Sequence, residues 1–198
     1  MHRFDGDTDE EAKLWHSYMR IARDHIVESG AIPTTEIRPV IDDDSNVWSE
    51  TAREAIQTIL FSSFILEARL KRVLTEMGRP PRKFDGLNNI LSNFWPALSQ
   101  VKRINADGFC SPPAEWAQVE GKLNELRRLR NLMAHGNLAG VLLHLRSESA
   151  HVLARDLYNG VMSAIVLVNL GTGYETRSPE EAWKGFAPLL MRSGDAAA

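Results

Sequence analysis

Arg127, Arg128, Arg130, Asn131 and His135 fall inside one short stretch of the 198-residue chain, and they are residues whose types and spacing can do chemistry. Guanidinium groups fork onto phosphate oxygens, and a histidine titrates near neutrality, so it can give or take a proton. The chemistry this cluster suits is anion handling with proton transfer beside it. Leu123, Leu126, Leu129, Leu132 and Met133 recur at helical spacing around it and give one apolar face, with Arg127, Arg128, Arg130, Asn131 and His135 off that face. At about 100° per residue, Asn131 and His135 are neighbours one turn apart, Arg127 lies a further turn upstream, and Arg128 comes two turns before the histidine, so these four share a patch. Arg130 is about 140° round the helix from His135. Those two meet only through the long arginine side chain, through a ligand between them, or through a second subunit. Gly136 stops the helix immediately after the histidine.

The order Arg130-Asn131-x-x-x-His135 resembles the R-(N/D/H)-x-x-x-H core of HEPN domains, the all-helical family named for higher eukaryotes and prokaryotes nucleotide-binding. The resemblance covers residues 45 to 171, with an amphipathic helix before the motif helix and another after it. It implies an all-α bundle, a homodimer in which two motifs face a shared cleft, and metal-independent cleavage of RNA. On that pattern Arg130, Asn131 and His135 are the catalytic residues; Arg127 and Arg128, from their place on the shared patch, are expected to bind substrate.

Composition sets the limits. The chain can bury one good core, so a single domain over 1–198 is expected: an added N-terminal helix and connector over 1–44, the bundle over 45–171, and a short C-terminal appendage over 172–198. Hydrophobic content of 43% and charged content of 25% are those of an ordinary globular protein. The formal net charge of −3 argues against a globally basic nucleic-acid binder, so any contact with RNA must be local. Cys110 is the only cysteine, which leaves no disulfide framework and no cysteine-based zinc site. Residues 1 to 11 are acidic and carry no apolar run, and the most apolar stretch, Val161 to Leu170, is far shorter than the ~20 residues of a membrane span. The expectation is a cytoplasmic protein with no cofactor and no membrane partner.

The elements that must position the cluster follow from caps and periodicity. Thr8 and Glu11 form a capping box ahead of a helix to about Glu28, and residues 31 to 46 read as an irregular connector in which Asp42-Asp43-Asp44 is a solvated acidic run rather than a metal site. The longest helix is expected from Val47 to Met77, ended by Gly78 and Pro80. Glu67 at its edge either pairs with Lys71 one turn on or orients a motif arginine or histidine from the neighbouring helix. Arg79, Arg82 and Lys83 in the Pro-Pro turn are either a solvated loop or a patch that steers phosphate. A short helix is expected from Phe84 to Phe94, capped near Asp85 and broken by Pro96, with helical pattern resuming over Ala97, Leu98, Val101 and Ile104. Ser111-Pro112-Pro113 reads as the start of the motif helix. Val141 to Leu145 fits a helical turn or a strand equally, and His144 with His151 lacks a third ligand at suitable spacing, so no metal site is assigned. A further helix runs from Ala150 to Gly171, and Ser178-Pro179-Glu180-Glu181 caps a last short one that continues through Leu190.

Three kinds of function are compatible with this pattern. An endoribonuclease acting through 2′-hydroxyl attack, as a toxin or an antiphage effector, is what the resemblance implies; its partners would be RNA and an antitoxin or regulatory protein. The same bundle can instead bind a nucleotide or RNA through Arg127, Arg128 and Arg130 without cutting, or dimerise to regulate another protein. An exposed arginine-rich helix face with a terminal histidine is also an ordinary solvated face. A solvent-open cleft holding the motif arginine and histidine favours the enzyme, and burial of His135 favours the interaction role.

Overall fold

A computed structural model of the protein describes residues 50–79, 86–137, 141 and 150–186. These form an all-α fold of five helices among the described residues: α1 (Glu50–Glu76), α2 (Leu87–Leu98), α3 (Trp116–Ala134), α4 (Ala150–Thr172) and α5 (Pro179–Phe186). The expected N-terminal helix, the Asp42–Asp44 run, Arg82 and Lys83, His144, and the stretch after Phe186 lie outside the described residues.

The central element is α4. Val161, Met162 and every residue from Ala164 to Val168 are buried, and a helix apolar all round has to be enclosed by others. It packs most extensively on α1, then on α3, with α5 as a smaller neighbour. Two contacts fix its direction relative to α3. The N–H of Ser111 donates to the carbonyl of Gly171 at 3.3 Å, and a β-carbon at Gly160 would lie 3.0 Å from the Lys122 stem. Residue numbers rise along one element while they fall along the other, so α3 and α4 are antiparallel. Ile59, Leu66, Leu70 and Leu74 of α1, Leu87, Ile90, Phe94 and Leu98 of α2, and Leu123, Leu126 and Leu129 of α3 complete one core. Each fully buried leucine or isoleucine contributes about 1.5–3 kcal/mol relative to exposure.

Polar contacts clamp the far ends of α1 and α4. Arg69, 5% exposed, donates from Nη2 to Asn169 Oδ1 at 2.6 Å and lies 5.3 Å from the centre of the Tyr174 ring. The Tyr174 hydroxyl donates to Glu76, which also accepts from Arg72 Nε at 2.6 Å. Burial pushes the Arg69 guanidinium below its usual value, with Glu76 opposing the shift; burial and the bond to Glu76 push the Tyr174 phenol up, so it stays a donor.

Three expected boundaries are corrected. Pro96 does not break the second helix, which runs on to Leu98. Its ring costs one hydrogen bond to the Ser92 carbonyl, but burial of Trp95 and Leu98 on either side holds the last turn. The helical pattern beyond it, over Val101 and Ile104, is instead a hairpin-like turn: Lys102 and Phe109 form an antiparallel bridge, and Arg103 N–H donates to Gly108 O at 3.0 Å. Docking on the end of α4 overrides periodicity here, because Ile104 N–H donates to Thr172 O at 3.0 Å. For the same reason Ser111 does not cap the motif helix. Its backbone N–H is tied to Gly171 and its hydroxyl oxygen accepts from Arg103 Nη2 at 3.4 Å, and α3 starts only at Trp116, with Glu115 before it. The Ser178 and Glu181 capping box forms as expected, with Glu181 N–H donating to Ser178 Oγ at 3.3 Å and Ser178 N–H donating to Glu181 Oε2 at 3.2 Å. Among the described residues no helix is long and apolar enough to cross a membrane.

The docking of the hairpin depends on Gly171. A β-carbon there would fall 2.5 Å from both the Ser111 carbonyl oxygen and the Trp95 ring, and neither a backbone nor a buried indole can yield cheaply. Gly171→Ala should therefore lower the unfolding free energy by about 1–3 kcal/mol, the usual cost of overpacking. Urea denaturation followed by tryptophan fluorescence measures it, and Gly121→Ala, where the added carbon meets nothing within 4 Å, is the control.

Candidate functional site

Leu126 lies at the centre of the buried stripe of α3, with Leu123 and Leu129 about 60° to either side. Counting round from that centre, Arg127, Asn131, Asn124, His135, Arg128 and Gly121 fall in an arc from about 100° to 220°, the side that packing leaves open. There the structure has a groove of about 630 Å³. Arg127, Arg128, Asn131 and His135 all line it, so the four residues expected to share a patch do share one.

His135 is the C-cap of α3 and is exposed. Its N–H donates to Asn131 O at 3.0 Å, and the two bonds of a Schellman closure follow: Gly136 N–H to Met133 O at 3.1 Å and Asn137 N–H to Leu132 O at 2.9 Å. Gly136 sits at φ +67°, a conformation glycine adopts without penalty, and this ends the helix at His135, which lines the groove.

The two groove arginines differ in their partners. Arg127 Nη1 donates to Asn88 Oδ1 of α2 at 2.6 Å. Arg128 forks onto Glu125, Nε to Oε2 at 3.0 Å and Nη2 to Oε1 at 2.7 Å.

Arg130 stands apart. It lies about 40° from the centre of the buried stripe, so it is at the edge of the packed face and not off it as expected, and it does not line the groove. It points toward α1, where Nη2 is 4.0 Å from Glu67 Oε2. Nη1 donates to Asn131 Oδ1 at 3.3 Å, so Asn131 touches both the groove and the arginine. Glu67 makes the pair with Lys71 expected of it, Nζ to Oε1 at 2.7 Å, while Arg130 only approaches it. Arg79 is exposed beyond α1, its N–H donating to Leu74 O at 2.7 Å, and it is not among the groove residues. Among the described residues no three His, Cys, Asp or Glu side chains converge as a metal site.

Sequence reasoning missed Asn88, Asn124 and Asn137, which line the groove with Asn131. Asn124 was legible, being two turns before Asn131 on the same arc. Asn88 was not, because it arrives from another helix.

Gly121 lines the groove from within α3, where glycine weakens a helix relative to alanine. Gly121→Ala should raise stability by about 0.5–1 kcal/mol, read as a shift in the thermal midpoint. Gly121→Trp should keep the fold while blocking any ligand of the groove, which titration with RNA would show.

No protein-family model, no curated protein and no solved structure matches this chain.

Proposed function

We propose that the protein is a metal-independent endoribonuclease of HEPN type, acting as a homodimer and serving as a toxin or antiphage effector. The observation that carries this reading is the exposed His135 at a helix end, set in one open groove with Arg127 and Asn131. In the mechanism the RNA 2′-hydroxyl attacks the adjacent phosphorus while the bond from phosphorus to the 5′-oxygen breaks. The hydroxyl proton passes to solvent, and His135 delivers one to the departing 5′-oxygen, so the products are a 2′,3′-cyclic phosphate and a 5′-hydroxyl. An arginine on the non-bridging oxygens offsets the charge that builds in the transition state.

Within one protomer that arginine is not Arg130, which faces α1. A facing subunit supplies it in this reading, since a twofold contact needs one self-complementary patch. Phe64, 41% exposed and one turn before Glu67, gives the Arg130 side of the molecule apolar surface for such a contact. The separation of Arg130 from the groove also favours a second reading, a module that binds RNA or a nucleotide without cutting it.

Purified protein incubated with single-stranded RNA in EDTA distinguishes the two. Cleavage should persist on chelation, leave a cyclic phosphate and spare DNA, which lacks the attacking hydroxyl. His135→Ala should reduce the rate by about 10²–10⁴-fold, the usual worth of general acid–base catalysis. Arg130→Ala should abolish cleavage with the fold intact, because its side chain is outside the core; Asn131→Ala should do partial damage. Sedimentation should show a dimer at tens of micromolar. Loss of activity in EDTA would refute the mechanism, and RNA bound but never cut would establish the binding module.

A further inference from the structure

We propose that, among the described residues of the groove, the Arg127 guanidinium is the anion seat, and that Asn88 is the positioning residue that presents it to a phosphodiester. This deepens the RNA reading of the groove and rests on it. Two adjacent arginines that the sequence leaves equivalent have different partners in the structure. Arg128 spends two N–H donors on the Glu125 carboxylate, at 3.0 and 2.7 Å, so its charge is balanced and an approaching phosphate meets a carboxylate at the same place. Arg127 is held as firmly, at 2.6 Å, but by the oxygen of a neutral carboxamide. No carboxylate among the described residues pairs with it. A guanidinium has five N–H donors, and the bond to Asn88 uses one, leaving a fork for phosphate oxygens and an undiminished charge.

Asn88 is well placed for this task. It is exposed at the second position of α2, between the buried Leu87 and, two residues on, the buried Ile90, so the core fixes the backbone that carries it. Its own N–H donors sit on the other arm of the carboxamide and can join the same phosphate. A long arginine held in place by a second helix loses less freedom on binding than one swinging in solvent.

The test uses the full chain and a single-stranded 2′-O-methyl RNA oligonucleotide, which cannot be cut, with affinity read by fluorescence anisotropy over a series of salt concentrations. Each phosphate contact to a single strand contributes about 0.7 to the slope of log affinity against log salt. Arg127→Ala should lower the slope by about that amount and weaken binding about tenfold. Asn88→Asp, which places a carboxylate on Arg127, should do the same although Arg127 is still present. Asn88→Ala should weaken binding but keep the slope, because the charge remains and only its placement is lost. The double variant Glu125→Ala with Arg128→Ala removes a balanced pair and should leave slope and affinity near wild type. Equal losses from the double variant and from Arg127→Ala, or a wild-type slope for Asn88→Asp, would overturn the proposal while leaving RNA binding intact. If the wild type binds no oligonucleotide, an NMR titration with inorganic pyrophosphate decides: Arg127 side-chain signals that move in the wild type and not in Asn88→Asp uphold the seat and refute RNA as its ligand, and unmoved signals refute both.

Discussion

Burial of Leu123, Leu126 and Leu129 is the constraint on which the candidate site depends. A helix is a rigid screw, so once one stripe is fixed on the core the direction of every other side chain follows from its position in the sequence. Packing these leucines, rather than any attraction among polar groups, turns Asn124, Arg127, Asn131 and His135 toward solvent. The same rotation carries Arg130 to the packed edge. The motif residues are therefore divided by the hydrophobic effect before any electrostatic contact is made.

Rotation alone does not place a helix; its ends must also be held. At the start of α3 the hairpin over residues 101 to 110 and Ser111 hang on the last carbonyls of α4, with Gly171 leaving the space for that approach. At the finish the Schellman closure through Gly136 ends the helix at His135. The two devices work on opposite ends of one element. One sets where the helix begins against its neighbour, and the other decides that the histidine is terminal and exposed.

What could be read from the sequence and what could not divide along a physical line. The α-helical class, the long stripes of α1 and α4, the stop at Gly136 and the Ser178 capping box are local patterns, and the structure has them. Pro96 inside a helix, the hairpin at Val101 to Cys110 and the late start of α3 are not local: they are decided by distant parts of the chain, Trp95 packing on Trp116 and Gly171, and the hairpin and Ser111 bonding to Thr172 and Gly171. In the site the same division holds. The arc shared by Arg127, Arg128, Asn131 and His135 is helix arithmetic, but the assignment of Asn88 to Arg127 crosses 39 positions, and no spacing rule reaches it.

Arg69 and Arg130 show how packing separates a fixed cation from a movable one. Arg69 is nearly enclosed, bonded to Asn169 at 2.6 Å and stacked on Tyr174. Removing Asn169 would leave a buried charged donor without that bond, which costs about 1–3 kcal/mol or more, so this arginine belongs to the scaffold. Arg130 keeps 28% of its side chain exposed, and its carboxylate, Glu67, is already engaged with Lys71 at 2.7 Å. A pair at 4.0 Å with that exposure contributes at most about 1 kcal/mol. Arg130 can thus leave Glu67 at little cost, while Glu67 keeps its lysine. The loose pairing holds the arginine near the surface, and the tight bonds elsewhere keep the bundle from following it.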